Sequence, residues 1–272
     1  KLVIADRLVA VVTVMIGSPE EYRGVYVLLT MFLYAIELYA DFTGGIDITI
    51  GIAQVLGIKL AENFDRPFFS KNTAEYWRRW HITMGTWFRD YIFYPMSVSQ
   101  PMLKFGKKSK ALLGNHVGKR LPVYITTSVT WFATGIWHGA SWNFIVWGML
   151  NCFVLIVSQE LEPAYAWFHK KTSIGQTKGY GLFQIARTFV LMSSIRVLDC
   201  YRDVPLTFRQ VGSIFTTPNW KVLVDGSMLK FSITIADYLI LFIGVGLMIM
   251  VSVLQGKGSV RKKKKQKAYP LR

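Results

Sequence analysis

One histidine lies in a glycine- and tryptophan-rich stretch that separates two largely apolar segments. The stretch TGIWHGASWN covers residues 134–143, with His138 at its centre. Ionisable side chains at membrane depth are usually functional, and a neutral imidazole accepts a proton near pH 7 without holding a permanent charge in lipid. His138 is therefore a candidate general base. From this stretch alone, a histidine that is hydrogen-bonded at a helix end for structural reasons is an equally good interpretation.

A second histidine, His81, follows a predicted helix start, where Asn72 can cap free N–H groups and Glu75 can reach back. On a helical wheel His81 falls at the border between an aromatic face and a polar face. The first face holds Trp77, Trp80, Met84, Trp87, Phe88 and Tyr91, and the second holds Arg78, Arg79, Thr83, Thr86, Arg89 and Asp90. We expect this helix to lie in a membrane interface or to line a vestibule. A satisfied structural role is the alternative for His81.

Composition predicts the kind of scaffold that holds these residues. The 272 residues are 52% hydrophobic and 15% aromatic, and the mean hydropathy is +0.31. Apolar segments lie near residues 2–17, 25–40, 44–58, 121–137, 142–158, 182–198 and 233–254. Several of them contain charges, namely Asp6, Arg7, Glu37, Asp47, Arg187, Arg196 and Asp237. Such charges are tolerated where helices face one another or a watery cavity, so a polytopic bundle around a polar path is expected.

The net charge of +16 is distributed as in a membrane protein. Basic residues cluster between apolar runs, in residues 104–120, 169–181 and 257–272, which argues against nucleic-acid binding. The positive-inside rule predicts that these three stretches are cytoplasmic loops and a cytoplasmic basic tail. Alternation of the predicted spans then puts His138 toward the outer side of the membrane.

Other chemistries find little support in the sequence. It has no Gly-x-Ser-x-Gly elbow, no phosphate loop and no His-Glu-x-x-His motif. Cys152 and Cys200 are expected to be free buried thiols, and His116 and His169 to be solvated, so no metal site is predicted. The chain begins at Lys1 without a signal peptide or an initiator Met, and we interpret it as part of a longer protein.

Five ordered blocks resemble one family. They read YADFTG at 39–44, DITIG at 47–51, ENFDRPF at 62–68, WRRWHI at 77–82 with WFRDY at 87–91, and GIWHG at 135–139. This pattern is similar to the membrane-bound O-acyltransferase (MBOAT) family, and especially to its bacterial alginate O-acetylation branch. Teichoic-acid D-alanyl transfer proteins are more distant in this comparison. The resemblance implies that the chain is the C-terminal part of its protein, with residues 1–272 forming a single membrane domain.

The resemblance also implies a fold and a mechanism. The expected fold is an all-α, polytopic transmembrane bundle, with interfacial or re-entrant amphipathic helices around a tunnel. His138 would be the catalytic base and His81 a second important position. Trp137 and Asn143 would shape the tunnel wall, with Asn143 able to donate to an oxyanion, while Arg78, Arg79 and Arg89 would attract an anionic donor or glycan or simply form a solvated face.

These features together predict transfer of an acetyl group across a bacterial cytoplasmic membrane to an extracytoplasmic polysaccharide. The donor would be acetyl-CoA or another acyl thioester, acting as a co-substrate, with no tightly bound cofactor. A secreted or anchored partner acyltransferase would complete the transfer. Three alternatives remain open: D-alanyl transfer to teichoic acid from a carrier protein, a transporter or channel lined by intramembrane charges, and a structural subunit of an export complex.

Overall fold

The computed structural model describes residues 1–231 and 233–256, and every regular element within these ranges is helical. The α-helices are α1 (Ala5–Gly17), α2 (Val25–Val55), α3 (Thr73–Arg79), α4 (Ile82–Phe88), α5 (Tyr94–Ser97), α6 (Gln100–His138), α7 (Trp142–Glu160), α8 (Glu162–Thr172), α9 (Lys178–Tyr201), α10 (Val204–Thr216) and α11 (Ile235–Gly256). The prediction of an all-α fold is confirmed. The predicted basic tail at 257–272 lies outside the described residues.

Among the residues that the structure describes, four helices, α2, α7, α9 and α11, are long and apolar enough to cross a membrane. The predicted segments 25–40 and 44–58 form one helix instead of two, because α2 continues through Gly44 and Gly45. The predicted segments 2–17 and 121–137 are not among the four. The first becomes α1, whose 13 residues cover only about 20 Å at the α-helical rise.

Helix α9 forms the centre of the bundle. Its buried Val197 packs against Met31 of α2, and its buried Leu198 packs against Trp147 of α7. A helix that has apolar side chains on more than one face is covered by neighbours on each of these faces, which explains this position. Because α9 contacts both neighbours, its polar residues are held at fixed places between α2 and α7.

A sharp bend divides α6 into a helical hairpin. Gly114 has φ 77° and ψ 178°, a conformation that favours glycine. Beyond the bend, Gly118 packs directly against the backbone of Ser109, and Gly106 faces the ring of Pro122. Residues 104–120 are therefore helical on both sides of the bend, while their cytoplasmic location stays a prediction. Lysine, the most frequent residue in this stretch, is a good helix former, and the lysines lie on helix surfaces.

The single helix predicted after Asn72 is interrupted at Trp80 and His81. Trp80 is extended, with φ −103° and ψ 125°, and His81 is left-handed, with φ 47° and ψ 56°. Residues 63–65 pair with this break, since the Asp65 N–H donates to the Arg79 carbonyl at 3.0 Å. The predicted helix start is confirmed: Asn72 Oδ1 accepts from the Glu75 N–H at 2.8 Å, and Glu75 Oε2 accepts from the N–H of Lys71 at 2.7 Å.

Helix α11 contacts α1 and the segment before α3. Arg7 Nε pairs with Asp237 Oδ1 at 2.8 Å, Gly244 faces the side chain of Ile4, and Gly256 lies beside Arg66. A mostly apolar cavity of about 370 Å³ separates α11 from α2 and α9.

Candidate active site

Asn63 holds His81 in one orientation. Its Oδ1 lies 3.1 Å from His81 Nδ1, 3.2 Å from the backbone nitrogen of Thr83 and 2.7 Å from Thr83 Oγ1. The backbone N–H of Thr83 can only donate, so the Asn63 atom facing these groups is the oxygen. Nδ1 of His81 must then carry a proton. In the neutral imidazole the lone pair is on Nε2, which leaves that atom able to accept a hydrogen bond or a proton.

The left-handed backbone of His81 is stabilised by the same asparagine. The Ile82 N–H donates to the Asn63 carbonyl at 3.0 Å, and Asn63 is only 9% exposed. A non-glycine residue in this region costs about 1–2 kcal/mol, which these hydrogen bonds offset. Burial, and after it the positive charge of Arg196, lower the pKa of the His81 imidazole. His81 is therefore neutral at pH 7.

His138 is the last residue of α6 and is surrounded by aromatic rings. Its ring centroid lies 4.7 Å from that of Trp147 in an edge-on contact and 6.0 Å from that of Phe144, which is stacked on it. The chain turns immediately after His138, and a side chain at Gly139 would collide with the Phe144 ring. Because Gly139 has no side chain, Phe144 of α7 can approach the turn that follows His138.

Trp137 connects the two histidines. Its ring centroid is 6.1 Å from that of His81 and 4.9 Å from that of His138. More than half of its side chain, 57%, is exposed. The structure therefore brings His81, Trp137 and His138 together at one open position.

The three predicted arginines have different surroundings. Arg78 and Arg89 line a cavity of about 620 Å³ between the α3–α4 region and helices α6 and α7. Arg79 instead forms an ion pair with Glu75, with a nitrogen–oxygen distance of 2.7 Å. Arg89 also forms an ion pair with Asp90, at 2.8 Å. Arg78 and Arg89 are thus placed to meet a ligand in this cavity, and Arg79 has a structural partner.

Asn143 is buried, with 2% of its surface exposed. Its Nδ2 donates to the carbonyl of Leu198 at 3.4 Å, and its Oδ1 accepts from Ser141 Oγ at 2.6 Å. These bonds join the start of α7 to the end of α9. The predicted role of Asn143 as an oxyanion donor stays a prediction.

The sequence analysis assigns no site role to Asn63 and names Arg196 only as one of several charges in apolar segments. Asn63 lies in the block ENFDRPF at 62–68, but no local signal links it to His81. Arg196, by contrast, is a charge inside an apolar segment, which is itself a signal of function. It is 5% exposed and lies over the rings of Trp77, Trp80 and Trp147, with its Cζ 5.8, 4.7 and 5.3 Å from their centroids.

The bundle of apolar helices, with two histidines in contact with the ring of Trp137, can now be compared with known protein families. Residues 4–198 match the model of the MBOAT, membrane-bound O-acyltransferase family. Because this match covers well over half of the chain, the chain belongs to that family.

Individual members of the family show which kinds of acyltransferase the chain resembles. The chain is 32% identical to the peptidoglycan O-acetyltransferase of Helicobacter pylori, over 62% of this chain and 29% of the relative. It is 34% identical to a probable alginate O-acetylase of Azotobacter vinelandii, over 47% of this chain and 22% of the relative. It is also 32% identical to the teichoic acid D-alanyltransferase of Bacillus subtilis, over 47% of this chain and 30% of the relative. The chain thus spans less than a third of the length of these relatives.

Proposed function

We propose that this chain provides the reaction centre of a membrane O-acyltransferase that passes an acetyl group to a hydroxyl of an extracytoplasmic polysaccharide. The observation that carries the proposal is the pair of histidines on one partly exposed tryptophan, inside the region that matches the family. Two of the three relatives described above are named as O-acetylating proteins, which favours acetyl as the acyl group.

His138 acts as the general base in this proposal. A sugar hydroxyl is a poor nucleophile until its proton is removed, and a positioned base contributes about 100- to 10,000-fold. The hydroxyl oxygen attacks the acyl carbonyl carbon while its proton passes to the imidazole. Collapse of the tetrahedral intermediate breaks the carbon–sulfur bond, and the departing thiolate recovers the proton. The products are an ester and a thiol, and the histidine returns to its neutral form.

His81 assists from the other side of Trp137. Its Nδ1 proton is engaged by Asn63, so Nε2 is the ring nitrogen that can accept a hydrogen bond. This atom can hold the acceptor hydroxyl by its hydrogen and turn the oxygen lone pair toward the acyl carbon. Trp137 forms the wall against which the acyl group and the sugar ring rest.

Two cavities lie beside the segments that carry the histidines, although neither histidine lines them: Trp80 and Ile82 line one, and Ser141 and Trp142 line the other. The one with Arg78 and Arg89 suits the phosphate groups of an acyl-CoA or a phosphopantetheine arm. The other, of about 470 Å³, lies beside the turn after His138 and is lined by Trp142, Asn143, Arg202 and Asp203. Polar side chains there suit a glycan hydroxyl. The donor is therefore a co-substrate that enters and leaves.

The cellular setting belongs to the same proposal. The protein resides in the bacterial cytoplasmic membrane with its C-terminus in the cytoplasm, and the hydroxyl acylated at this site belongs either to the sugar itself or to a secreted or anchored acyltransferase that completes the transfer. D-alanyl transfer is the second candidate, because one relative is named a teichoic acid D-alanyltransferase. A transporter would instead show solute flux that is independent of any acyl donor.

The test uses the full-length protein in membranes with its partner proteins and labelled acetyl donor. The wild type is compared with His138→Ala and with His116→Ala, which changes a histidine of another cavity. We expect loss of extracytoplasmic label only in His138→Ala, at equal protein abundance. Normal labelling in His138→Ala would remove this residue from catalysis. Label from a D-alanyl carrier donor but not from acetyl-CoA would favour the second candidate.

A further inference from the structure

Arg196 is a buried cation beside the site that the proposed proton transfer does not use. A buried guanidinium is costly unless other groups replace water around it. Here Asp199 Oδ2 lies 3.8 Å from one guanidinium nitrogen, and the aromatic faces of three tryptophans surround the rest. Asp199 is held in turn by the hydroxyl of Tyr34 at 3.1 Å. Cation–π attraction is strongest at such desolvated positions.

The tryptophans around Arg196 lead directly to both histidines. Trp80 is the residue before His81, and it is extended so that the chain can turn there. Trp147 is buried on α7, and its ring meets that of His138 edge-on at 4.7 Å. Trp77 contacts Trp147 at 5.7 Å and so joins the two sides. The guanidinium thus lies where the parts of the chain that hold His81 and His138 converge.

We propose that Arg196 is a positioning residue of the acyl-transfer site, whose guanidinium binds Trp80 and Trp147 and thereby fixes His81 and His138 relative to one another. The inference rests on the proposed function. It requires the flat guanidinium in addition to the charge, because a planar group can lie over several indole rings while a lysine ammonium is a compact point charge.

The charge of Arg196 has a second, separable effect. The charged group that acts on the His81 imidazole is Arg196. The charged or titratable groups that act on the His138 imidazole are Arg196, Asp199 and His81. Since the positive charge of Arg196 lowers the pKa of His81, removing this charge raises that pKa. Shape and charge can therefore be tested with different substitutions.

The first test measures the acyl-transfer rate of the full-length protein against donor concentration and pH. Arg196→Lys keeps the charge and loses the plane, so we expect kcat to fall about 10- to 100-fold with little change in the KM for donor and none in the acid limb. Arg196→Gln should lower kcat similarly and also move the acid limb to higher pH. Arg209→Lys, at an exposed ion pair with Glu20, is the control and should behave as the wild type. A full rate in Arg196→Lys would overturn the inference.

The second test does not depend on an acyl donor. Modification of His81 by diethyl pyrocarbonate is followed by peptide mass spectrometry as a function of pH, because only the neutral imidazole reacts. Arg196→Gln should raise the midpoint of this titration, and Arg196→Lys should leave the midpoint in place but change the rate of modification. Wild-type behaviour in both variants would refute the positioning role even if no acyl donor is turned over. Absence of acyl transfer in the wild type, with the expected titrations, would refute the proposed function alone.

A milder substitution covers the case in which Arg196 variants do not accumulate. Trp80→Phe retains an aromatic face and weakens its attraction for the cation. We expect a smaller fall in kcat, about threefold to tenfold, and an altered rate of His81 modification. Unchanged values of both would contradict the inference.

Discussion

Asn63 defines the chemistry of His81 at the level of a single atom. One amide oxygen receives hydrogens from His81 Nδ1, the Thr83 N–H and the Thr83 hydroxyl. This arrangement chooses the tautomer of the imidazole, and therefore which nitrogen is available to a substrate. Asn63 acts on the reaction only through His81.

Replacement of Asn63 by aspartate should change the pH dependence of activity. The carboxylate can accept the same three hydrogens, but its negative charge raises the pKa of His81, which burial and Arg196 lower in the native protein. A raised pKa keeps the imidazole protonated to higher pH, so the acid limb of the rate profile should move upward. Rates measured between about pH 5.5 and 8.5 check this expectation. The exposed Asn115→Asp is the control, and an unmoved limb in Asn63→Asp would contradict it.

An apolar replacement of Asn63 should act on stability instead. Asn63→Leu removes the buried acceptor of the hydrogen bonds from His81 and Thr83, which costs about 0.5–1.5 kcal/mol for each bond. Thermal unfolding in detergent would show a lowered midpoint together with lost activity. A variant with native stability would mean that water replaces the asparagine oxygen.

The sequence identifies His138, His81 and Trp137 because each residue type is chemically distinctive in its apolar context. It does not reveal that Trp137 lies between the histidines, because this contact joins residues far apart in the chain. The role of Asn63 is missed for the same reason, because its hydrogen-bond partners His81 and Thr83 lie 18 and 20 positions away in the sequence. Arg196 was visible as a charge in an apolar segment, but its three indole partners come from α3, α7 and the residue after α3.

At the scale of elements, local patterns predict helix starts well and helix continuity poorly. Asn72 and Glu75 mark the beginning of α3, because side-chain caps involve only neighbouring residues. The break at Trp80 depends on pairing with residues 63–65, which no helical wheel includes. In α2, two adjacent glycines suggest a break that the surrounding helix suppresses.

The α6 hairpin provides a test at this scale. Gly118→Ala would place a methyl group against the Ser109 backbone, forcing the two halves of α6 apart. We expect a loss of about 1–3 kcal/mol, measured by thermal or denaturant unfolding in detergent. Gly246→Ala, a glycine of α11 with open space around it, is the control and should not destabilise the protein. Equal stability of both variants would mean that the hairpin opens without cost.

At the scale of the whole molecule, the central question is how α11 joins the bundle. The Arg7–Asp237 ion pair and the Gly244–Ile4 contact bring it to α1, while an apolar cavity separates it from α2 and α9. Hydropathy alone predicts α11 as a span, but it contains no information about which helix lies beside it.

Cysteine cross-linking of the full-length protein tests this placement. Cγ1 of Ile4 lies 3.0 Å from where a Cβ at Gly244 would be, so a sulfur atom in place of Cγ1 would lie within reach of a cysteine at position 244. Ile4→Cys with Gly244→Cys should therefore cross-link on mild oxidation, visible as a mobility shift that reductant reverses. The pair Ile4→Cys with Gly246→Cys should not cross-link, because Gly246 lies two residues further along α11 and faces open space. The native Cys152 and Cys200 are buried and provide the background. Equal yields from both pairs would contradict the position of α11.

The hairpin at Gly114 also changes how proteases encounter this protein. Proteases cut most readily at exposed loop tips that can extend into their active sites. Residues 104–120 carry many lysines, yet these lie on two helical arms, and the bend itself is flanked by Leu113 and Asn115. Among the described residues, trypsin should therefore cut first after Lys59, which is exposed in the irregular segment after α2, and only slowly between Lys104 and Lys119. A dense run of cleavable residues would then persist as an intact fragment in limited digestion.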